Sequence, residues 1–413
     1  MENTAVQTRS PAPGLPPRRI LVRGVNWLGD AVMTTPALLR LREHFPGSLI
    51  AMLTPEKLRG LWLNHPAVDE VLTFKPDEGL VHIAKKVQVM MWPDTAGKNT
   101  AADAARRAAN AVKPLQRGGF DLALVLPNSP RSALEPWLAR VPQRVGYSRP
   151  WRNLFLTTAV PSRPGATHMR KRSVEEIKKL ISPGGANGVP RFAPNSSAHQ
   201  IYDYLHLVAA LGANPEPVPP QLAVTPVELK AAAQKFNLSS QLTSVRPIFA
   251  LNPGAEYGPA KRWPADRFVA AAKEIQKRTN CIWLILGGKG DIPLANEIEK
   301  AIGARQSLIV NLAGQTSLRE LLAVIKLSRV LLTNDTGPMH IAAALGTPVV
   351  VPFGSTSPEL TGPILTSQVR HQLIKSDAPC SPCFLRECPI DFRCMKGILI
   401  ERVVQAVLKA TQP

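Results

Sequence analysis

The stretch Leu331-Leu332-Thr333-Asn334-Asp335-Thr336-Gly337-Pro338-Met339-His340, continuing through Ile341-Ala342-Ala343-Ala344-Leu345-Gly346-Thr347-Pro348, reads as a buried strand, a tight turn and a helix whose first turn carries Thr, Gly and Pro. A helix start leaves backbone N–H groups without intrahelical acceptors at the positive end of the dipole. That is an anion site, and a diphosphate suits it. Asp335 falls at the carboxyl end of the strand. His340 follows Thr336 by four residues, so a helix returns it to the same face.

Working outward, the same alternation fills the second half. Strands are expected at Pro247 to Asn252, Cys281 to Gly287, Leu308 to Leu312, Val330 to Thr333 and Pro348 to Phe353. Helices are expected at Ala265 to Thr279, Asp291 to Ile302, Ser317 to Leu327 and Pro338 to Leu345. The first half has the same rhythm: strands at Arg19 to Gly24, Ser48 to Leu53, Val68 to Phe74, Phe120 to Leu126 and from Arg144, with a helix over Ala31 to His44. Strands alternating with helices give parallel sheets covered on both faces. The fold class is therefore α/β, with two doubly wound domains facing across a cleft and ligands outside the carboxyl ends of the strands.

The divisions follow from composition. Residues 1–18 are Pro-rich and polar, without an apolar signal region, and read as a disordered tail. Residues 19–212 form the first domain, with insertions at 75–119 (including an Ala/Arg-rich helix over Ala101 to Val112) and 182–198. Residues 213–220 (Ala-Asn-Pro-Glu-Pro-Val-Pro-Pro) read as a stiff linker, and 221–413 as the second domain. There is no apolar run long enough for a transmembrane helix. With 50 Lys and Arg against 30 Asp and Glu the net charge is +20, which favours anionic partners. No basic–aromatic stacking pattern is present, so nucleic acid is not expected.

Other turns share the chemistry of the first. Asn252-Pro253-Gly254-Ala255 leads to Lys261-Arg262-Trp263-Pro264, where Lys261 is either a point charge for phosphate or a surface Lys at a helix start. Gly287-Gly288-Lys289-Gly290-Asp291 is a second glycine turn after a strand, and Ala313-Gly314-Gln315-Thr316-Ser317 a helix cap. In the first domain Arg23-Gly24-Val25-Asn26-Trp27-Leu28-Gly29-Asp30 follows the first strand. Asp30 is either an N-cap or a carboxylate at the cleft mouth available as general base. Cys380, Cys383, Cys388 and Cys394 permit a structural four-thiolate zinc site, with plain thiols or disulfides as the alternative; Cys281 reads as core.

Asn26-Trp27-Leu28-Gly29-Asp30-Ala31-Val32-Met33-Thr34-Thr35-Pro36-Ala37-Leu38, the block Asn252 to Pro264 and the block Thr333 to His340 together resemble the motifs of the ADP-heptose:lipopolysaccharide heptosyltransferases, and their wording is nearest to the family's second type. The likeness runs from about Arg19 to Lys409 outside the insertions. It implies a GT-B fold of two Rossmann-like domains, with the acceptor on the first and the ADP-sugar on the second. It implies inversion at the anomeric carbon without a bound metal or cofactor. By this resemblance Asp30 is the base, Lys261 holds phosphate, and Asp335, Thr336, Gly337 and His340 form the donor motif, with Gly29 and Gly254 in the matched substrate-binding turns. The implied donor is ADP-heptose and the implied acceptor the anionic heptosyl-Kdo-lipid A core, met peripherally at the cytoplasmic face of the inner membrane. Arg144, Arg149, Arg152, Arg163, Arg170, Lys171 and Arg172 are expected to rim the acceptor side. A transferase of the first type, another sugar transferase, an epimerase and a nucleotide-binding module without chemistry are the competing readings, and the oligomeric state stays open.

Overall fold

The computed structural model describes residues 16–89, 119–167, 169–184, 192, 194, 197–239, 246–303, 308–363 and 370–412. The Ala101 to Val112 helix and most of the 182–198 insertion lie outside the described residues. So does the tail as far as residue 15, while Pro17 and Arg18 are already held, by Ser48 Oγ (2.5 Å) and by the Asp121 carboxylate (2.8 Å).

Two six-stranded sheets carry the chain. The first contains β1 (Arg19–Arg23), β2 (Leu49–Pro55), β3 (Glu70–Phe74), β4 (Leu122–Val125), β5 (Gln143–Tyr147) and β6 (Thr158–Val160), in the order β3-β2-β1-β4-β5-β6. The second contains β7 (Ile248–Asn252), β8 (Ile282–Ile285), β9 (Ile309–Asn311), β10 (Val330–Thr333), β11 (Val349–Phe353) and β12 (Gln372–Lys375), in the order β12-β11-β10-β7-β8-β9. Every pairing is parallel, and the two orders are the same doubly wound pattern. The strand order reverses between β1 and β4 and between β7 and β10, so a crevice opens at the carboxyl end of each pair. β6 and β12 are additional to the strands expected from the sequence.

The longer helices are α1 (Leu28–Met33), α2 (Thr35–His44), α3 (Leu80–Gln88), α4 (Pro130–Leu138), α5 (Val174–Ile181), α6 (Ile201–Ala209), α7 (Pro226–Lys235), α8 (Ala265–Thr279), α9 (Ile292–Ile302), α10 (Leu318–Leu327), α11 (Gly337–Ala344) and α12 (Ile400–Ala410). The single helix expected over Ala31 to His44 is two, broken at Thr34. Pro36 has no N–H for the ladder. The Thr34 and Thr35 hydroxyls donate instead to the carbonyls of Ala31 (2.7 Å) and Val32 (2.8 Å).

At the end of β1, Arg23 lies buried against Glu135 of α4 at 2.5 Å, and its guanidinium also holds the Asn26 side chain at 3.1 Å. This pair fixes the loop that carries Asn26 and Trp27. The linker is not free-standing: Arg40 donates to Glu216 O at 2.8 Å, and Ala213 is buried. The crossing between halves comes at Gln221, whose N–H reaches Thr35 Oγ1 (3.2 Å), and Leu222, whose N–H reaches Ala344 O (3.4 Å). Helix α5, placed by sequence in the first domain, packs instead on the second: Ile177 sits against Cys380 and Cys383, and the Arg172 N–H donates to Cys383 O at 3.0 Å.

Candidate active site

The two crevices meet. Helix α1 of the first half and α11 of the second lie against each other so closely that side chains are excluded at two glycines. A Cβ on Gly29 would stand 2.8 Å from the His340 ring, and one on Gly337 would stand 2.6 Å from Leu28. Both glycines thus serve this approach. A second bridge is made by Arg319, which is paired with Glu228 and donates to the carbonyls of Gly60 and Leu63 at 3.3 Å. A third is made by the segment before α6: the Gln200 N–H donates to Leu360 O at 3.0 Å, and His199 Nε2 lies 2.8 Å from Gly362 O.

Asp30 is the third residue of α1, and Trp27 holds the cap position, so the carboxylate is not the N-cap that one sequence reading allowed. It lines a cavity of about 350 Å³ in the first half, together with Asn26, Trp27, Asn128, Tyr147, Arg149 and others. Lys261 and Asp335 lie near enough for their charges to act on it. Burial raises the Asp30 carboxyl to about 6; Lys261 opposes that rise, Asp335 adds to it, and a hydrogen bond from Gln200 opposes it. Gln200 in turn donates to Tyr204 Oη at 2.9 Å. Above about pH 6 Asp30 is ionised, with a proton affinity that burial raises over that of an ordinary carboxylate.

Across the cleft, β7 and β10 lie in register at Asn252 and Thr333. The Asn252 amide donates to Thr333 Oγ1 (3.1 Å) and Thr336 Oγ1 (3.4 Å), joining the two strand ends at the switch point. Asn334 is a strut: it accepts from the Trp263 N–H at 2.9 Å and donates to Pro253 O at 2.7 Å. It thereby fixes the Lys261 turn to the α11 turn. Lys261 Nζ stands 2.7 Å from Asp335 Oδ2, and the same oxygen accepts from Thr356 Oγ1 at 2.7 Å. Burial works to raise the Asp335 carboxyl, but Lys261 and Thr356 outweigh it and the net shift is downward. Thr336 is the extended residue before α11, and no side chain caps that helix. Among the described residues the N–H groups of Thr336 and Gly337 have no acceptor within the chain. His340 is buried in the α1–α11 contact, and burial lowers its imidazole to about 4, so it is neutral. Gly254 packs beneath Asp291, where a Cβ would meet a carboxylate oxygen at 2.4 Å.

The arginines expected at the acceptor rim divide. Arg149 and Arg163 line the cavity, Arg163 with Asp203 at 3.2 Å. Arg152 is wholly buried and holds the carbonyls of Tyr147, Val125 and Pro127. Arg144 is tied to Phe155 O at 2.7 Å. Arg170 pairs with Glu176, and Arg172 is buried between Glu176 and Pro382 O. Lys171 is exposed. Cys380, Cys383, Cys388 and Cys394 line one cavity of about 10 Å³. All four are free thiols, and burial pushes Cys394 up to about 12. Among the described residues no set of three or more His, Cys, Asp or Glu side chains is arranged for a metal ion. Thr356, Gln200, Tyr204 and Asp203 are absent from the sequence-level site. Thr356 follows a strand on a Gly-Ser-Thr turn, a signal of the kind used elsewhere; Gln200 and Tyr204 carry none.

The model of glycosyltransferase family 9 (heptosyltransferase) matches residues 186–392, half of the chain. The chain belongs to glycosyltransferase family 9. This family 9 enzyme is 29% identical over 347 residues to lipopolysaccharide heptosyltransferase 2 of Salmonella typhimurium, covering 84% of this chain and 85% of that one. It is likewise 29% identical to the Escherichia coli enzyme of that name, over 84% and 85%. Its structure is similar to that of E. coli ADP-heptose lipopolysaccharide heptosyltransferase II, with a TM-score of 0.66 and 26% identity over 95% of this chain and 98% of that one. A family 9 glycosyltransferase of Veillonella parvula shares the fold at a TM-score of 0.70 and 21% identity, over 95% and 97%. The two-domain GT-B architecture follows.

Proposed function

We propose that this glycosyltransferase moves heptose from ADP-heptose to the heptosyl-Kdo-lipid A inner core, with inversion and without a metal, as a heptosyltransferase of the second type. The observation that carries the reading is the position of Asp30, between the 350 Å³ cavity and the Lys261–Asp335 pair. The names of the relatives supply the sugar and the nucleotide; the charge of +20 fits an anionic acceptor at the cytoplasmic face of the membrane.

In the proposed step Asp30 takes the proton of an acceptor hydroxyl as its oxygen bonds to the anomeric carbon. The bond from that carbon to the β-phosphate oxygen breaks, and ADP leaves with the electron pair. Lys261 and the free N–H groups of Thr336 and Gly337 stabilise the charge that develops there. Asp335, whose Oδ2 is held by Lys261 and Thr356, aims the ammonium. His340 and Gly29 shape the closed wall, and Gly254 keeps the loop of Lys261 low. The test is incubation with ADP-heptose and defined core acceptors followed by mass spectrometry. A mass gain of one heptose on the heptosyl-Kdo acceptor supports the reading; gain only on bare Kdo, or none on any acceptor, overturns it.

A further inference from the structure

The segment Arg149 to Phe155 joins β5 to β6 at the edge of the first sheet. It puts two large apolar side chains into water: Trp151 is 81% exposed and Leu154 75%. Between them Arg152 is 0% exposed. Its guanidinium enters the space left by Gly146, where a Cβ would stand 2.7 Å from Nη2, and clamps the loop to Val125 O and Pro127 O. Arg149 N–H and Ser148 Oγ are tied to the Asn153 side chain at 3.0 and 2.9 Å. Trp151 is held at φ 62°, a left-handed conformation unusual for a bulky residue. The loop is thus a braced platform whose core anchors point inward and whose Trp and Leu point out.

Its neighbours extend the same character. Trp137 of α4 is 45% exposed and meets Phe155 edge-on at 5.7 Å between ring centroids. Arg131 in the first turn of α4 and Arg140 just beyond its end are exposed. From Pro136 to Val174 the chain contains no Asp or Glu. Arg149, at the base of the platform, lines the cavity that Asp30 faces. Among the described residues no helix is long and apolar enough to cross a membrane.

We propose that the Arg149–Phe155 platform, flanked by Trp137 and by the arginines of α4, lies on an anionic lipid bilayer and brings the cavity mouth to the membrane. Indole and leucine enter the interfacial layer, where an amphipathic aromatic ring is favoured, while the guanidinium groups meet phosphate headgroups. Either contribution alone is weak; stable peripheral binding needs the apolar and the basic part together. The inference rests on a lipid-borne acceptor only for its biological sense.

The experiment uses the full chain and vesicles without donor or acceptor. The wild type is expected to co-sediment with mixed phosphatidylglycerol–phosphatidylethanolamine vesicles, more weakly as salt rises, and little with phosphatidylcholine. Trp151→Asn/Leu154→Gln should lower that partitioning at least about tenfold. Asn tolerates the left-handed backbone, so the melting temperature should not fall. Turnover on a deacylated, water-soluble acceptor should stay at the wild-type level, while KM rises for the same acceptor embedded in vesicles. Wild-type partitioning in the double variant overturns the proposal. So does a wild type that self-associates through this face without binding vesicles, or one retained by nucleic acid and not by anionic lipid. A wild type that binds vesicles yet transfers no heptose refutes the proposed reaction and leaves this surface standing.

Discussion

Asp30 and Asp335 both follow the strand ends at the switch points of their sheets, the first partly buried at the cavity wall and the second fully buried, and they lie close enough to feel each other's charge, yet their acidities move in opposite directions. Asp335 is hydrogen-bonded twice on one oxygen, by an ammonium and a hydroxyl, and stays ionised. Among the described residues Asp30 is eased by the Gln200 amide and by the charge of Lys261 acting through space. Burial alone does not decide the protonation state; direct donors do. One carboxylate is thereby committed to holding a cation, and the other is left with the affinity to accept a proton.

The contrast can be broken most directly at the base. Asp30→Ala should lower turnover by about 10²-fold or more while ADP affinity, measured by calorimetry, stays near wild type. Unchanged turnover would remove Asp30 from the chemistry. Lys261→Ala should lower turnover by about 10²-fold and weaken the donor as well, because it removes the charge proposed to face the leaving phosphate. A variant that kept both would take Lys261 off the diphosphate.

A stability effect sits beneath the catalytic ones. Removing Glu135 leaves Arg23 buried without its partner, so Glu135→Ala should cost about 3–5 kcal/mol in denaturant unfolding. A loss under 1 kcal/mol would mean that Arg23 finds solvent.

The pH dependence sharpens the pair. The acid limb of kcat/KM should fall through pH 6, where Asp30 is protonated. Lys261→Ala should move that limb to higher pH and Asp335→Asn to lower pH, since the first removes an attractive charge and the second a repulsive one. Shifts of the same sign would show that the limb belongs to another group.

The pair also acts on folding. The folded-state pKa of Asp30 is raised, so the stability it contributes is fully present below its unfolded value near 4 and is lost as pH rises to about 6. Asp30→Asn should therefore be more stable than wild type at pH 8, by up to about 3 kcal/mol from a shift of roughly two units. Equal stabilities at pH 8 would place the carboxylate in water.

Much of this was legible in the order of residues. The alternation of apolar strands with helices anticipated two parallel sheets, and the Thr-Gly-Pro stretch marked the strand–turn–helix that begins α11, because these signals are local. The helix break at Thr34 was also present, in Pro36 and two threonines, but an amphipathic stripe masked it. What failed was any statement about direction in space. The arginines from Arg144 to Arg172 form one basic run in the sequence, whereas the structure buries Arg152 and Arg172, ties Arg144 and Arg170, and leaves Arg149 and Arg163 at the cavity. Helix α5 crosses to the other half because Ile177 finds its apolar partners on a segment more than two hundred residues away.

By itself the sequence determined the two α/β halves, the turns at the strand ends, and the family motifs, since each depends on spacing along the chain. Only the tertiary structure decided that Asp30 and Lys261 face each other, that Gln200 and Thr356 belong to the site, and that Trp151 stands in water while Arg152 does not. Those depend on which surfaces close on one another, and closure is set by side-chain volume and partner geometry far apart in sequence, which no local pattern encodes.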